Sequence, residues 1–367
     1  MTTSTYRPVA VDTRPARIDA MIRKTGAAAV VGGLALVVYW WVAGGGVDAL
    51  TGWADGLTSV GRLTGLLASD LLLVQVLLMA RIPVVERAVG QDRLAIWHRW
   101  TGFTSFNVML AHVGLIAWGY AAGDLAEVPA TFWNLTVTYP GMLLALAGTL
   151  CLVMVTVTSI RAARSRLRYE SWHLLHLYAY LGVGLALPHQ LWTGQEFLAS
   201  TATTVYWWTL WGAAAGAVLV WRIGLPLYRT LRHDLRVTSV VPEHDPSVVS
   251  VYLTGRDLHR LPVTAGQFVN WRFLFGRGWT RAHPYSLSAA PDGRSLRITV
   301  KVAGDGSAAV RSLRPGTRVI VEGPYGRLTE RSRTRTKVAF IGAGVGITPL
   351  RALAEGLPCA PGEATLL

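Results

Sequence analysis

Cysteine is almost missing from this chain. Only Cys151 and Cys359 occur in 367 residues, one inside an apolar run and one near the end. Two such residues exclude a disulfide framework, a cysteine zinc site and an iron–sulfur cluster. Charge is scarce as well. Asp, Glu, Lys and Arg make up 15% of the residues, where a soluble domain carries roughly a quarter. The balance is basic, with 35 Lys and Arg against 21 Asp and Glu and a formal net charge of +14. That balance points to nucleic acid or to a membrane. The arginines stand between apolar runs and not in one patch with interleaved aromatics, so they read as membrane-orientation charges and argue against nucleic acid. A signal-peptide pattern is also missing. The first 25 residues are polar, too long for a charged start, and no small-residue cleavage site follows the first apolar run. The N-terminal segment is expected to stay cytoplasmic and uncleaved.

What is abundant is apolar surface, at 51% of residues. A membrane helix needs about 20 mostly apolar residues. Six runs qualify, at roughly 26–43, 62–80, 100–121, 138–159, 173–192 and 203–223. The second is the weakest, because it carries Asp70 and Gln75. Tryptophans gather near the run ends (Trp40, Trp41, Trp97, Trp100, Trp118, Trp172, Trp192, Trp221), as in an aromatic belt at headgroup depth. Arginines fill the N-terminal segment, the second-to-third loop (Arg81 to Arg99) and the fourth-to-fifth loop (Arg161 to Arg168), while the alternate loops are nearly free of them. Both ends of the six-helix unit are therefore expected on the cytoplasmic side of an inner membrane. The third and fifth helices then run in the same direction.

Those two helices carry His98, His112, His173, His176 and His189. Ionisable groups within spans are rare and usually functional. His98 and His112 lie 14 residues apart, about 21 Å of helical rise and close to four turns, so both rings share a face. His176 and His189 lie 13 apart, which rotates the second ring by about 140° on an ideal helix. A bend near Gly182, Gly184 or Pro188 is needed to bring it round. Two parallel helices with an inner and an outer histidine each can clamp two stacked haems, because haem iron takes axial imidazoles. His173 competes with His176 as the inner ligand. A single histidine in a span is more often a structural or proton-relay residue, and a histidine-bearing transporter or sensor without haem is the rival from another class.

After Trp221 the composition changes. The stretch RIGLPLYRTLRHDLR reads as a basic amphipathic exit segment, and from about 235 short strands alternate with turn signals such as PDG and RPG. Closely spaced antiparallel strands suggest a small barrel. Three clusters stand out: HPYSLS from His283, KVAGDGSAAVRSL from Lys301, and EGPYG from Glu322. The glycines of the second lead into a short helix whose free backbone N–H groups suit a pyrophosphate. Then KVAFIGAGVGITPLRAL gives a strand, the turn glycines Gly342, Gly344 and Gly346, and a helix opening near Thr348 and Pro349, the arrangement that holds a dinucleotide. One strand and one helix cannot bury their apolar faces. The closing TLL reads as the start of a second strand, so the expectation is a nucleotide domain that continues in a longer chain. Completion by a partner, or loss of nicotinamide binding, are the alternatives.

With those residues on the page, the chain resembles the ferric reductase and NADPH oxidase superfamily of transmembrane flavocytochromes, in particular bacterial ferric reductase-like members. The resemblance rests on the paired histidines of the third and fifth helices, HPYSLS and GAGVGITP. It implies that His98 and His176 hold an inner haem and His112 and His189 an outer one. It implies that Tyr285 and Ser286 lie against a flavin ring, with Pro284 in the same segment. It places His283, with the Gly306 and Ser307 turn, toward the FAD phosphates. Gly342, Gly344, Gly346, Thr348 and Pro349 match its nicotinamide-nucleotide site. Most of the nucleotide domain of the family, including its late cysteine segment, has no counterpart here.

The expected fold is a membrane all-α six-helix bundle followed by an antiparallel β-barrel FAD domain and the truncated start of an α/β nucleotide-binding domain. The expected boundaries are 1–25 for the cytoplasmic N-terminal segment, 26–225 for the haem domain, 232–330 for the FAD domain and 336–367 for the incomplete NAD(P) domain. The expected function is electron transfer from NAD(P)H through FAD and two b-type haems to an external acceptor such as ferric iron or oxygen. A cytochrome b relay subunit served by a separate reductase is the alternative. The lipid bilayer is the expected surrounding, and no nucleic acid is expected as partner.

Overall fold

The computed structural model describes residues 11–194, 196–276 and 279–367. Two compact units divide the chain: Thr25–Ala80 with Leu94–Val218, and Met1–Lys24 with Arg81–Arg93 and Leu219–Leu367. Helices come first, then strands.

The helices are α1 (Arg14–Ala43), α2 (Trp53–Met79), α3 (Pro83–Val89), α4 (Gln91–Tyr120), α5 (Val128–Thr138), α6 (Met142–Ser159), α7 (Arg161–Arg164), α8 (Tyr169–Trp192), α9 (Thr201–Ala217) and α10 (Leu225–His233). A π-helical segment, Val218–Gly224, joins α9 to α10 without a break. Among the described residues four stretches are long and apolar enough to cross a membrane: α1, α2, α6 and the continuous Thr201–His233. The helices α4 and α8 have the length, at 30 and 24 residues. They miss on composition because they carry the histidines and the polar residues at their starts. All six expected runs overlap a long helix. The fourth run is shortened, because Pro140 and Gly141, at φ +80°, form a turn that delays the helix to Met142. The helix α5 before that turn was not foreseen.

Local chemistry explains the helix ends and their packing. Ser200 caps α9 by accepting from the Thr203 N–H at 3.2 Å, while the Thr203 hydroxyl oxygen accepts from the Ser200 N–H at 3.0 Å. Gly148 of α6 and Gly182 of α8 pack backbone to backbone; a Cβ on either would lie 2.7 Å or 2.9 Å from the other's carbonyl. Small residues at such crossings let membrane helices approach closely. Two buried polar residues of α2, Asp70 and Ser69, have partners on other helices. Asp70, 1% exposed, accepts from the Tyr206 hydroxyl at 2.5 Å. Ser69 accepts from Gln190 at 2.9 Å.

The strands form two three-stranded antiparallel sheets. In one, β1 (Arg236–Pro242), β2 (Val248–Thr254) and β5 (Ser295–Lys301) lie in that order; in the other, β4 (His283–Ser286), β3 (Phe268–Phe273) and β6 (Val319–Tyr325). Alternate residues of β3, β5 and β6 point inward, the period expected of half-buried strands. Their inward side chains make one core with Val251, Leu253, Trp271, Leu287, Ile298 and Val321. Trp271 is fully buried and donates its indole N–H to the Tyr285 carbonyl at 3.0 Å. The expected barrel is corrected: among the described residues the sheet edges meet only at single bridges, Leu287 with Ile298 and Arg236 with Arg318. The strand β4 has four residues, and one is Pro284, which has no N–H to extend a ladder.

A short helix α11 (Asp305–Ala308) follows β5. The chain then continues through β7 (Val338–Phe340), α12 (Ile347–Gly356) and β8 (Ala364–Leu366). Strands β7 and β8 pair in parallel, with Val338 opposite Ala364 and Phe340 opposite Leu366. The strand foreseen at TLL is present, so β7, α12 and β8 follow one another as strand, helix and parallel strand.

Candidate functional site

In the membrane unit the histidines come together as two pairs. The rings of His98 on α4 and His176 on α8 have centroids 6.0 Å apart at an interplanar angle of 65°. With metal–imidazole bonds of about 2 Å, two rings gripping one ion have centroids roughly 6 Å apart. His112 and His189 form the second electrostatically interacting pair. The 140° mismatch of the 13-residue spacing does not keep them apart, and Pro188 sits inside a continuous α8.

Both α4 imidazoles are oriented by α2. His98 Nδ1 lies 3.2 Å from the Gln75 carbonyl oxygen, and His112 Nδ1 lies 2.7 Å from that of Gly61. A carbonyl only accepts, so Nδ1 carries the proton in each ring and Nε2 keeps its lone pair. Metal-ligating histidines are commonly held this way. The two carbonyls are 14 residues apart on α2, matching the spacing of the two histidines on α4. Gly65 makes the room: a Cβ there would lie 2.6 Å from His112 Nδ1. On α8, His176 Nδ1 sits 3.3 Å from the Ser159 hydroxyl, and its ring lies 5.0 Å from that of Trp172. A Cβ on Gly141 would meet the His189 backbone nitrogen at 2.7 Å. His189 Nδ1 is buried, with the Ala186 backbone as its polar neighbour. His173 also interacts with His176 but is not in the facing ring pair.

Among the described residues no cluster of three or more His, Cys, Asp or Glu is placed to hold a metal ion. A two-histidine site therefore suits an ion that arrives with its own equatorial ligands, as haem iron does. The residues present fit that group. The Gln75 and Gly61 carbonyls were not singled out from the sequence. Their shared 14-residue spacing was the available signal.

In the other unit, β4 presents His283 and Tyr285 on one face, with parallel rings 5.7 Å apart. Burial pushes the Tyr285 hydroxyl above its ordinary value. Pro284 is exposed, and it shares the opposite face with Ser286. The structure brings His283 to the Gly306 turn, where a Cβ would lie 2.8 Å from His283 Cε1. Just before the short helix, the Ala303 and Gly304 N–H groups both donate to the Ser307 hydroxyl oxygen, at 2.8 Å and 3.1 Å. Ser307 shapes the turn, and the ring pair with the missing Gly306 side chain is what can admit a flat cofactor.

The nicotinamide-site candidates also cluster. Gly342, Gly344 and Gly346 form the turn between β7 and α12, and Thr348 and Pro349 lie in the first turn of α12. Gly344 takes φ +56°, a conformation glycine adopts at little cost. A Cβ on Gly342 would lie 2.7 Å from Leu350. Thr348 donates to the Val345 carbonyl at 2.9 Å, and the turn from Ala343 to Ile347 is exposed.

Residues 64–187 match the family described as ferric reductase like transmembrane component. The matched stretch holds His98, His112, His173 and His176 and ends just before His189. NADPH oxidase 1 of Mus musculus is 26% identical over 154 residues, 40% of this chain and 25% of that protein. Dual oxidase 2 of Homo sapiens is 22% identical over 308 residues, covering 76% of this chain and 19% of its own length. The chain thus resembles the ferric reductase and NADPH oxidase superfamily, with a ferric reductase like transmembrane component over residues 64–187. That component and the four helices long and apolar enough to cross a membrane among the described residues make it an integral membrane protein. A further relative is the electron transfer subunit of dihydroorotate dehydrogenase B (NAD(+)) from Fusobacterium nucleatum, 35% identical over 95 residues, 25% of this chain and 37% of that subunit. A solved flavohem-like FAD/NAD binding domain of nitric oxide dioxygenase from Vibrio cholerae is 24% identical, with a TM-score of 0.28, over 37% of this chain and 61% of that one. The chain thus spans well under half the length of the curated relatives it matches.

Proposed function

We propose that this protein is a transmembrane oxidoreductase that passes electrons from NAD(P)H, through FAD and two b-type haems, to an acceptor such as ferric iron or oxygen on the far side of the membrane. His98 with His176 would hold one haem, and His112 with His189 the other. His283, Pro284, Tyr285, Ser286, Gly306 and Ser307 form the FAD site. Gly342, Gly344, Gly346, Thr348 and Pro349 form the nicotinamide-nucleotide site. The haem and flavin groups, when bound, supply the redox chemistry, and the protein contributes position and electrostatics.

The observation that carries the reading is the His98–His176 ring pair at 6.0 Å, together with the two Nδ1 contacts from α4 to α2 carbonyls. Those contacts hold each imidazole in the tautomer that offers Nε2 outward. Two imidazoles per iron leave no open position for a substrate, which suits electron transfer. The helices α4 and α8 complete six spans, since their lower hydropathy comes from the residues the function needs. The arginines of the N-terminal, Arg81 to Arg99 and Arg161 to Arg168 segments support a cytoplasmic position for both ends of the six-helix unit in an inner membrane. On the flavin side, the parallel His283 and Tyr285 rings provide an apolar wall. The test is cofactor quantification on the purified, detergent-solubilised protein. Two low-spin b haems and one FAD per chain are expected. Haem without flavin would leave only a relay, and neither cofactor would end the proposal.

A further inference from the structure

A cavity of about 220 Å³ lies within the unit that holds the strands. Arg81, Arg87, Arg229, Trp221, Pro226 and Tyr325 are among its lining residues. Its charges do not balance. Glu322 accepts from the Tyr325 hydroxyl at 2.9 Å and takes Arg222 at 3.6 Å and Arg81 at 3.9 Å. Glu86 pairs with Arg81 at 3.2 Å. Arg81 also lies over the Tyr325 ring, 4.1 Å from its centroid. Both carboxylates are therefore committed to Arg81 and Arg222. Arg87 reaches only the Pro83 carbonyl, at 3.1 Å, and Arg229 only the Gly323 carbonyl, among the described residues. Two guanidinium groups at one cavity thus lack a carboxylate. Arg229 is half-buried. A partly buried cation without a counter-charge is costly, and an incoming anion relieves that cost.

The position of these residues in the chain says which anion. Thr201–His233 is one continuous helix of 33 residues, about 50 Å long against a hydrocarbon core of about 30 Å. Trp221 stands 20 residues into it, about 30 Å along, where the core gives way to headgroups. Arg81 comes two residues after the end of α2, another candidate span. The cavity is thus built from residues just past the ends of two spans. Its walls join guanidinium groups, which fit phosphate oxygens, to Trp221, Pro226 and Tyr325, which fit an apolar body. We propose that this cavity binds the phosphate of an anionic phospholipid headgroup, from the leaflet in which α2 and the Thr201–His233 helix end. The shared chemistry is a phosphate ester, and lipid is the source to which the helix ends point. The inference does not depend on bound haem or flavin.

The test uses the full chain in a mild detergent. Short-chain phosphatidylglycerol, short-chain phosphatidylcholine, inorganic phosphate and adenosine monophosphate are each titrated, and the thermal midpoint is followed. Phosphatidylglycerol is expected to raise the midpoint with an affinity at least roughly tenfold above phosphatidylcholine, and Arg229→Gln to lose roughly that factor. Arg87→Gln, at a more exposed residue, serves as the second variant should Arg229→Gln fail to fold. Equal responses to the two lipids overturn the proposal. So does a phosphatidylglycerol response that the folded variants keep. An arginine-dependent response to inorganic phosphate or the nucleotide that matches the lipid's would place a soluble phosphate there and overturn the headgroup assignment.

Discussion

Glu86 turns the buried charge cluster into a quantitative prediction. It is 5% exposed and sits 3.2 Å from Arg81. Burial nevertheless pushes its carboxyl up from 4.5 to about 7, with the Arg81 charge pulling the other way. The folded state therefore prefers the protonated acid more than the unfolded state does. Between pH 4.5 and about 7 the folded protein holds the extra proton, so stability falls as pH rises across that window. The contribution is fully present below the unfolded value and gone above the folded one. The gap between 4.5 and about 7 corresponds to about 3 kcal/mol, an order-of-magnitude figure. Glu86→Gln imitates the protonated acid at every pH. The variant is expected to match the wild type near pH 4 and to exceed it by up to about 3 kcal/mol at pH 8. Thermal midpoints from intrinsic fluorescence at both pH values measure the difference. A variant less stable than the wild type at pH 8 would refute the reasoning, because it would mean the Arg81 ion pair outweighs the desolvation of Glu86.

Other substitutions test the sites. Gly65→Ala places a Cβ 2.6 Å from His112 Nδ1 and is expected to remove one of two haems, read as a halved haem-to-protein ratio; a full haem complement would count against the His112 placement. Gly306→Ala, with its Cβ 2.8 Å from His283 Cε1, is expected to weaken FAD retention by tenfold or more, about 1.4 kcal/mol, measured by flavin release on dilution. Trp271→Ala empties the centre of the β core and is expected to cost about 3–5 kcal/mol, seen as a lowered midpoint for the strand unit.

Much of this was legible in the sequence because it is written in long-period patterns. Apolar runs between arginine-bearing loops marked the helices, and histidines 14 residues apart on one helix marked a shared face. What stayed hidden depends on contacts between distant segments. The turn at Pro140 and Gly141 splits an apolar run that hydropathy reads as continuous. His112 and His189 interact despite a spacing that an ideal helix puts out of phase. The barrel was over-read, since alternation identifies strands but not whether their edges join; a β4 of four residues containing Pro284 leaves only single bridges. The Ser307 hydroxyl, which ties down the Ala303 and Gly304 N–H groups ahead of the short helix, is a side-chain contact that no periodicity announces. The Arg81–Glu86–Glu322–Tyr325 cluster joins residues some 240 positions apart, beyond any local pattern.

The most direct measurement is haem content, by reduced-minus-oxidised spectrum and extracted-haem quantification, on single alanine variants of His98, His112, His176 and His189, with His173 as the control. The account predicts about one haem lost from each of the four variants and none from the His173 variant. Retention of both haems by the His98 or His176 variant, or loss from the His173 variant, would contradict it.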